Sequence, residues 1–329
     1  MNYLPWQQAQ WHRMRSLHRQ GRIPHALLFQ GPEGVGKRLF AEAFGRGLLC
    51  LTPGDEGAAC GQCRACLLLQ AGTHPDLSWV EPEEEGKAIR IDRIREFTRR
   101  ETISSQFGGH KIWIIRPADA MNGAAANALL KTLEEPTPST LILLLTSRPG
   151  ALPATIRSRC QSITFPVPPK AQALAWLGPQ GEQDWATLLA ASAGAPFKAL
   201  GLADPEKQKL RSTIIEQLLK LFAGGADPIA LAEEWHKRDL PLVLQWITSL
   251  LVDLARLAAN TGCRDLFNPD SLEQLLTLAA KKPGAEWQGH LTAIYPLSGA
   301  IERQLNMQLQ LEALLLSFTI KTEKQSGVR

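Results

Sequence analysis

The sequence of 329 residues has no strong excess of charge of either sign and no tandem repeat of fixed period. Its 36 lysines and arginines face 32 aspartates and glutamates, which gives a formal net charge of +4. A charge this small permits contact with nucleic acid but does not indicate it. The hydrophobic content of 44% is ordinary for a globular protein.

The sequence also lacks a long uninterrupted apolar run. Its longest apolar stretch, residues 240–259, contains Pro241, Gln245, Asp253 and Arg256, so we expect a buried amphipathic helix there rather than a membrane span. The first residues show no basic segment followed by an apolar core, which argues against a signal peptide. We therefore expect a cytoplasmic protein that has no membrane partner.

Cysteine is scarce, and four of the six cysteines fall close together in the pattern C-x9-C-x2-C-x2-C, at Cys50, Cys60, Cys63 and Cys66. In a chain without an export signal, cysteines are expected as reduced thiols or metal ligands. Four thiolates can close a tetrahedron around Zn²⁺ and leave no open position, so we predict a structural zinc site. An iron-sulfur cluster, a redox cysteine pair, four unrelated cysteines and His74 as a substitute ligand remain as alternatives.

A glycine-rich loop follows the apolar run at residues 26–29 and precedes a helical pattern. The loop reads Q-G-P-E-G-V-G-K-R and matches the phosphate-binding pattern G-x-x-x-x-G-K-[S/T] at Gly31, Gly36 and Lys37. In such a loop, backbone N–H groups and the lysine surround phosphate oxygens at a helix N-terminus. The candidate nucleotide-binding residues are these three together with Gly34, and the nucleotide would be ATP or ADP.

Two groups that ATP hydrolysis requires are missing. Arg38 occupies the position of the hydroxyl that holds Mg²⁺. The buried strand predicted at residues 112–115 is followed by Arg116 and Pro117, where an acid would hold magnesium or orient water. Asp119 comes later, and capping the next helix is its simpler role. We therefore expect no autonomous ATP hydrolysis.

Strand-like apolar runs alternate with helical patterns from residue 26 to residue 165, which predicts an α/β domain with a mainly parallel sheet. The proline-rich segment 166–169 indicates a boundary, and only helical periodicity follows residue 210. The predicted domains are an α/β P-loop domain at 1–166 with a zinc module at 50–66, a small helical lid at 167–205 and an all-α domain at 206–329.

Three further motifs identify a family: H-A-L-L-F at 25–29, N-A-L-L-K-T-L-E-E-P at 127–136 and S-R-C at 158–160. With the loop, they closely resemble the AAA+ subunits of the bacterial DNA polymerase III clamp loader, and the four-cysteine insertion is similar to one in the same family. The resemblance covers residues 1 to about 205 by specific motifs. It covers the remainder only by helical type.

The resemblance implies a ring or spiral of five subunits, joined mainly by a collar of C-terminal helices, that opens the sliding clamp and places it on primed DNA. Subunits of the tau/gamma and delta types would be the partners. In this family the arginine of S-R-C reaches into the nucleotide site of a neighbouring subunit and stabilises charge on the transferred phosphate. By resemblance, this catalytic role in trans falls on Arg159. Arg157 is predicted not to substitute for it, on the basis of a strand-like spacing of two.

The family also places an acidic pair after the strand that ends here at Arg116, and an arginine in the lid where this sequence aligns Phe197. Together with Arg38, these departures imply a subunit that keeps the fold and the trans-acting arginine and has lost its own catalysis. An active ATPase of the tau/gamma type and a zinc-stabilised nucleic-acid-binding protein remain as alternatives. We interpret a basic helix face as solvated surface rather than a DNA contact. It comprises Arg93, Arg95, Arg99 and Arg100.

Overall fold

The structure of the protein is a computed structural model that describes residues 3–54, 56–84, 86–101, 105–107, 109–302 and 306–319. The chain forms two compact units, Met1–Ala173 and Leu174–Arg329. The first unit holds every strand described, and the described residues of the second unit form helices and the segments that connect them. The α/β fold class and the all-helical C-terminal region are therefore confirmed.

The first unit is built on a five-stranded, fully parallel sheet in the order β2-β3-β4-β1-β5. The strands are β1 (Ala26–Gln30), β2 (Leu77–Val80), β3 (Lys111–Ile115), β4 (Thr140–Thr146) and β5 (Gln161–Thr164). Every residue of β3 and β4 is buried, as expected for parallel strands with helices over both faces. These strands lie within one or two residues of the ranges predicted from the apolar runs.

Seven helices accompany the sheet in sequence. They are α1 (Gln8–Arg19), α2 (Lys37–Leu49), α3 (Arg64–Gln70), α4 (Ile91–Glu101), α5 (Gly123–Glu134), α6 (Ala154–Arg157) and α7 (Lys170–Leu177), the last of which spans the division between the units. Aromatic rings join β1 to α2: the ring centroids of Phe29 and Phe40 are 5.6 Å apart, and Phe40 lies 5.0 Å from Phe165. Burial of each such ring contributes about 1.5–3 kcal/mol, so the strand that leads into the glycine loop is firmly held.

The second unit is helical throughout its described residues. Its helices are α8 (Trp185–Ala191), α9 (Pro196–Leu202), α10 (Pro205–Phe222), α11 (Pro228–Trp235), α12 (Leu240–Ala259), α13 (Leu272–Ala279), α14 (Gly284–Glu302) and α15 (Met307–Thr319). By length and composition, α12 alone among the described helices is long and apolar enough to cross a membrane. It packs against α10, α13 and α14, and 56% of its most apolar window is buried. The helix is amphipathic and largely buried, as the interrupted apolar run predicted.

Candidate functional site

The glycine loop between β1 and α2 depends on backbone conformations that favour glycine. Gly31, Gly34 and Gly36 have φ angles of 147°, 80° and 89°. A Cβ atom on Gly31 would lie 2.0 Å from the carbonyl oxygen of Phe165, which follows β5. Only glycine fits there, so the loop turns tightly against the neighbouring strand before α2 begins at Lys37.

The loop is held by groups of the protein itself. The buried Lys37 ammonium donates to the carbonyl oxygens of Gly31 at 2.6 Å and Pro32 at 2.7 Å. The Val35 carbonyl accepts from Trp6 Nε1 at 3.0 Å and from Gln7 Nε2 at 3.1 Å. The structure therefore brings Gly31, Gly34, Gly36 and Lys37 together in a phosphate-binding loop shape, braced by the segment before α1.

Arginines occupy the two positions where magnesium chemistry would be expected. The Arg38 guanidinium lies over the Trp79 ring, 5.2 Å from its centroid. Arg116 Nε lies 3.2 Å from Glu81 Oε1. Because parallel strands end at the same edge of a sheet, both cations belong to the edge that carries the glycine loop. Positive charge at these positions opposes a divalent cation, which requires oxygen ligands.

Asp119 has a different role from the one expected. Its carboxylate accepts from Thr146 Oγ1 at 2.6 Å and from Arg148 Nε at 3.0 Å. Asn122 caps α5 instead, because it immediately precedes the helix and accepts from the Ala125 amide at 2.8 Å. The prediction that Asp119 caps the helix was wrong.

The four clustered cysteines meet in space around the start of α3. The Sγ atoms of Cys50 and Cys63 are 3.8 Å apart, those of Cys60 and Cys66 are 3.9 Å apart, and all four lie within 4.8 Å of one another. Thiolates bound to one zinc ion at about 2.3 Å are separated by about 3.8 Å, so the donor set fits a single tetrahedral ion. These distances are far beyond an S–S bond and too short to surround several metal atoms. The four cysteines can therefore hold one metal ion.

The thiols differ in how readily they ionise. Hydrogen bonds from the Thr52 hydroxyl and from the Gln62 and Cys63 amides lower the pKa of Cys60 to about 5. Burial raises the pKa of Cys66 to about 12. The cluster thus contains a thiolate at neutral pH, and thiolate is the form that binds a metal.

His74 lies outside this ligand set. Its ring lies 4.9 Å from the Phe107 ring, and its Nδ1 accepts from the Asp76 amide at 3.1 Å. Burial lowers the pKa of His74, so it is a neutral packed side chain.

Arg159 lies in the turn between α6 and β5, with its side chain 36% exposed. Its Nη2 is 2.5 Å from Glu134 Oε1, and its Nη1 donates to the Thr155 carbonyl at 3.0 Å. The next residue, Cys160, packs against the core, and burial raises the pKa of this thiol to about 11. The S-R-C motif thus packs its partly buried cysteine against the core, while its arginine is exposed at the surface.

Arg157 and Arg159 were predicted to have a strand-like spacing, and this prediction was wrong. Arg157 is the last residue of α6, and β5 does not begin until Gln161, so a strand spacing does not apply. Arg157 ends the helix and Arg159 lies in the turn that follows it, so the two arginines have different backbone settings.

Phe197, which stands where the family has an arginine in the lid, is part of an aromatic pair. Phe197 on α9 packs against Trp176 on α7, with ring centroids 4.8 Å apart.

On α4, Arg93 lies 3.8 Å from Glu96 and Arg95 lies 3.6 Å from Asp92, in exposed pairs one turn apart. The carboxylates partly neutralise this basic face, which agrees with a solvated surface.

The parallel sheet and the glycine loop between β1 and α2 define a P-loop fold, here with an attached four-cysteine module and with arginines at the two magnesium positions. Residues 6–169 match the family model described as DNA polymerase III, delta subunit, and residues 205–319 match that described as DNA polymerase III, delta subunit, C terminal.

Curated relatives match most of the chain. The DNA polymerase III subunit delta' of Pseudomonas aeruginosa is 40% identical over 258 residues, 77% of each chain. That of Escherichia coli is 36% identical over 273 residues, 82% of this chain and 80% of the relative. The tau/gamma subunit of Haemophilus influenzae is 35% identical over 142 residues, 43% of this chain and 20% of the relative. The chain therefore belongs to the family of DNA polymerase III delta' subunits.

Proposed function

We propose that this delta'-type chain works inside a clamp loader without turning over ATP itself, and that it supplies Arg159 to the ATP site of an adjacent tau/gamma-type subunit. The complex would also contain a delta-type subunit and would load the sliding clamp onto primed DNA in the cytoplasm. The observation that carries the proposal is a surface arginine in the S-R-C turn, on a domain that has Arg38 and Arg116 at its own magnesium positions.

The chemistry of Arg159 supports a role in trans. A guanidinium has five N–H donors, of which the contacts to Glu134 and the Thr155 carbonyl use two. The others can bind the oxygens of an incoming phosphate, where an arginine supplied by a neighbour accelerates phosphoryl transfer. The Arg159 side chain is partly exposed, and two of its nitrogens are already held. It therefore loses little conformational entropy when a neighbouring subunit docks.

The domain division at 166 and 205 is part of this proposal. The matched segments 6–169 and 205–319 support it, because they leave the proposed lid between them. The C-terminal helices would form the collar that joins the subunits.

We further propose that the cysteine module binds one structural Zn²⁺ and that the glycine loop has a structural rather than a catalytic role. Metal analysis of protein purified without chelator should give about one zinc per chain. Cys63→Ser should lose the metal and lower the unfolding temperature. Cys263→Ser changes a cysteine outside the cluster and should do neither. Protein that carries no metal, or a Cys63→Ser variant that still binds zinc, would contradict the assignment.

The test of the trans role compares two nearby arginines in the reconstituted complex. We expect Arg159→Ala to lower ATP turnover and clamp loading by about a thousandfold, the lower end of the range for such arginines. Arg157→Ala, on the last residue of α6, should remain within about twofold of the wild type. Complex formation, measured by gel filtration, should be unchanged in both. Normal turnover and clamp loading with Arg159→Ala would refute the proposal.

A further inference from the structure

Glu134 is the charged partner of Arg159, and it comes from a different part of the chain. It is the last residue of α5, whereas Arg159 follows α6. Its Oε1 lies 2.5 Å from Arg159 Nη2, and the Thr155 carbonyl holds Nη1 at 3.0 Å. Two nitrogens of the planar guanidinium are thus held by acceptors on two helices, which fixes both its position and the orientation of its plane.

The backbone beneath Glu134 is itself anchored. The neighbouring Leu133 is 2% exposed, and its carbonyl oxygen lies 2.9 Å from Nε2 of His25, the residue just before β1. The amide of Glu135 donates to the Lys131 carbonyl at 3.0 Å, and Pro136 prevents the helix from continuing. The carboxylate of Glu134 is therefore presented from a rigid end of α5.

The ion pair contributes little to folding, because the side chains of Arg159 and Glu134 are 36% and 50% exposed. An effect of Glu134 on function would therefore act through the geometry of Arg159. We propose that Glu134 is a positioning residue that orients the Arg159 guanidinium toward the phosphate of a neighbouring subunit. This inference rests on the proposed function of Arg159.

The opposite role, in which Glu134 withholds Arg159, makes a different prediction. A carboxylate that competes with phosphate would slow turnover through its charge, so removing the charge would accelerate the reaction. A positioning acceptor acts through its hydrogen bond, so an uncharged acceptor of the same shape should preserve the rate. Glutamine keeps the amide oxygen and removes the charge, and alanine removes both.

The experiment measures ATP turnover against ATP concentration in the complete complex with tau/gamma-type and delta-type subunits, sliding clamp and primed DNA. Glu134→Ala should lower kcat about tenfold with KM within about twofold, because the arginine is misplaced in the transition state. Glu134→Gln should stay within about threefold of the wild type. Glu135→Ala, on the adjacent exposed residue, is the matched control and should change nothing. Unfolding temperature and complex formation are recorded for each variant.

A double variant distinguishes this inference from the proposal beneath it. Glu134→Ala should cause no further loss in an Arg159→Ala background, because both changes disable the same guanidinium. If Arg159→Ala slows turnover and Glu134→Ala does not, the positioning role is wrong and the trans arginine stands. Faster turnover with Glu134→Gln would establish the withholding role instead. If Arg159→Ala itself has no effect, both ideas fail.

Discussion

Gly31 is the residue at which the glycine loop is most tightly constrained. Its φ of 147° lies in a region that side chains rarely adopt, and a Cβ atom would meet the Phe165 carbonyl at 2.0 Å. That carbonyl cannot easily withdraw, because the amide of the same residue donates to Gln30 at 2.8 Å and so holds the end of β5 against β1. The constraint comes from backbone packing, whether or not a phosphate ever binds.

We predict that Gly31→Ala lowers the free energy of unfolding by about 3 kcal/mol, because the clash is with backbone and the φ angle is unfavourable for alanine. Chemical denaturation followed by tryptophan fluorescence measures the change. Gly123→Ala is the control. It lies in the first turn of α5 with open space around it, and it should be neutral or stabilising by up to about 1 kcal/mol. Equal effects of the two changes would contradict the packing argument.

Contacts between residues close in sequence could be predicted, whereas contacts between distant residues could not. The cysteine spacing and the glycine pattern predicted which side chains meet, because both are local motifs whose partners lie within about 17 residues of one another. The side-chain partners of Asp119 and Arg159 could not be predicted in this way. They lie 25 to 29 residues away and meet only once β4 and α6 are placed. The N-cap role of Asn122 did have a signal, an asparagine directly before the helical pattern.

The helices of the second unit enclose an aromatic cluster that contains a histidine. His290 on α14 is 8% exposed, and its ring lies 5.0 Å from Phe318 on α15 and 5.8 Å from Trp287. Its Nε2 has no hydrogen-bond partner among the described residues. Burial, and then the charge of Lys282, lower the pKa of His290, while Glu286 acts weakly in the opposite direction.

This packing predicts a pH dependence of stability. As the pH falls, the unfolded chain takes up this proton near pH 6.5, whereas the folded chain does so only at a lower pH because the pKa of His290 is lowered there. The unfolded state then binds more protons, so the free energy of unfolding contributed by this site decreases as the pH falls through that value. His290→Phe should show a shallower decrease between pH 7 and pH 5 in denaturation measured at each pH. Parallel curves for the wild type and the variant would show that His290 does not contribute.

At the level of elements, the hydrophobic periodicity predicted where the strands and helices lie. It did not predict which elements lie beside one another. The runs that became β3 and β4 were recognisable because both faces of each strand are buried. The sheet order β2-β3-β4-β1-β5 follows from long-range pairing that no local pattern contains. That order places Arg38 and Arg116, which the sequence motifs had assigned to one site, at the same edge of the sheet.

For the molecule as a whole, the surface charge gives little indication of a partner. The net charge is +4, and Arg93 and Arg95 of α4 lie beside carboxylates on the same helix. Family membership and the Arg159 turn therefore carry the functional argument. The glycine loop matches the pattern of an ATPase at most of its positions. Its Lys37, however, donates to carbonyl oxygens of the loop itself.

ATP turnover should differ between the isolated chain and the complex. The isolated chain should not hydrolyse ATP with Mg²⁺, because arginines stand at the positions of the magnesium-binding hydroxyl and the acid. Lys37→Met, which keeps most of the aliphatic stem, should lower the free energy of unfolding by about 1–2 kcal/mol, since two loop carbonyls lose their donor. In the complex the same variant should leave turnover within about twofold, whereas Arg159→Ala should nearly abolish it. If the isolated chain turned over ATP and lost that activity with Lys37→Met, it would be an active ATPase, and the arrangement proposed here would be wrong.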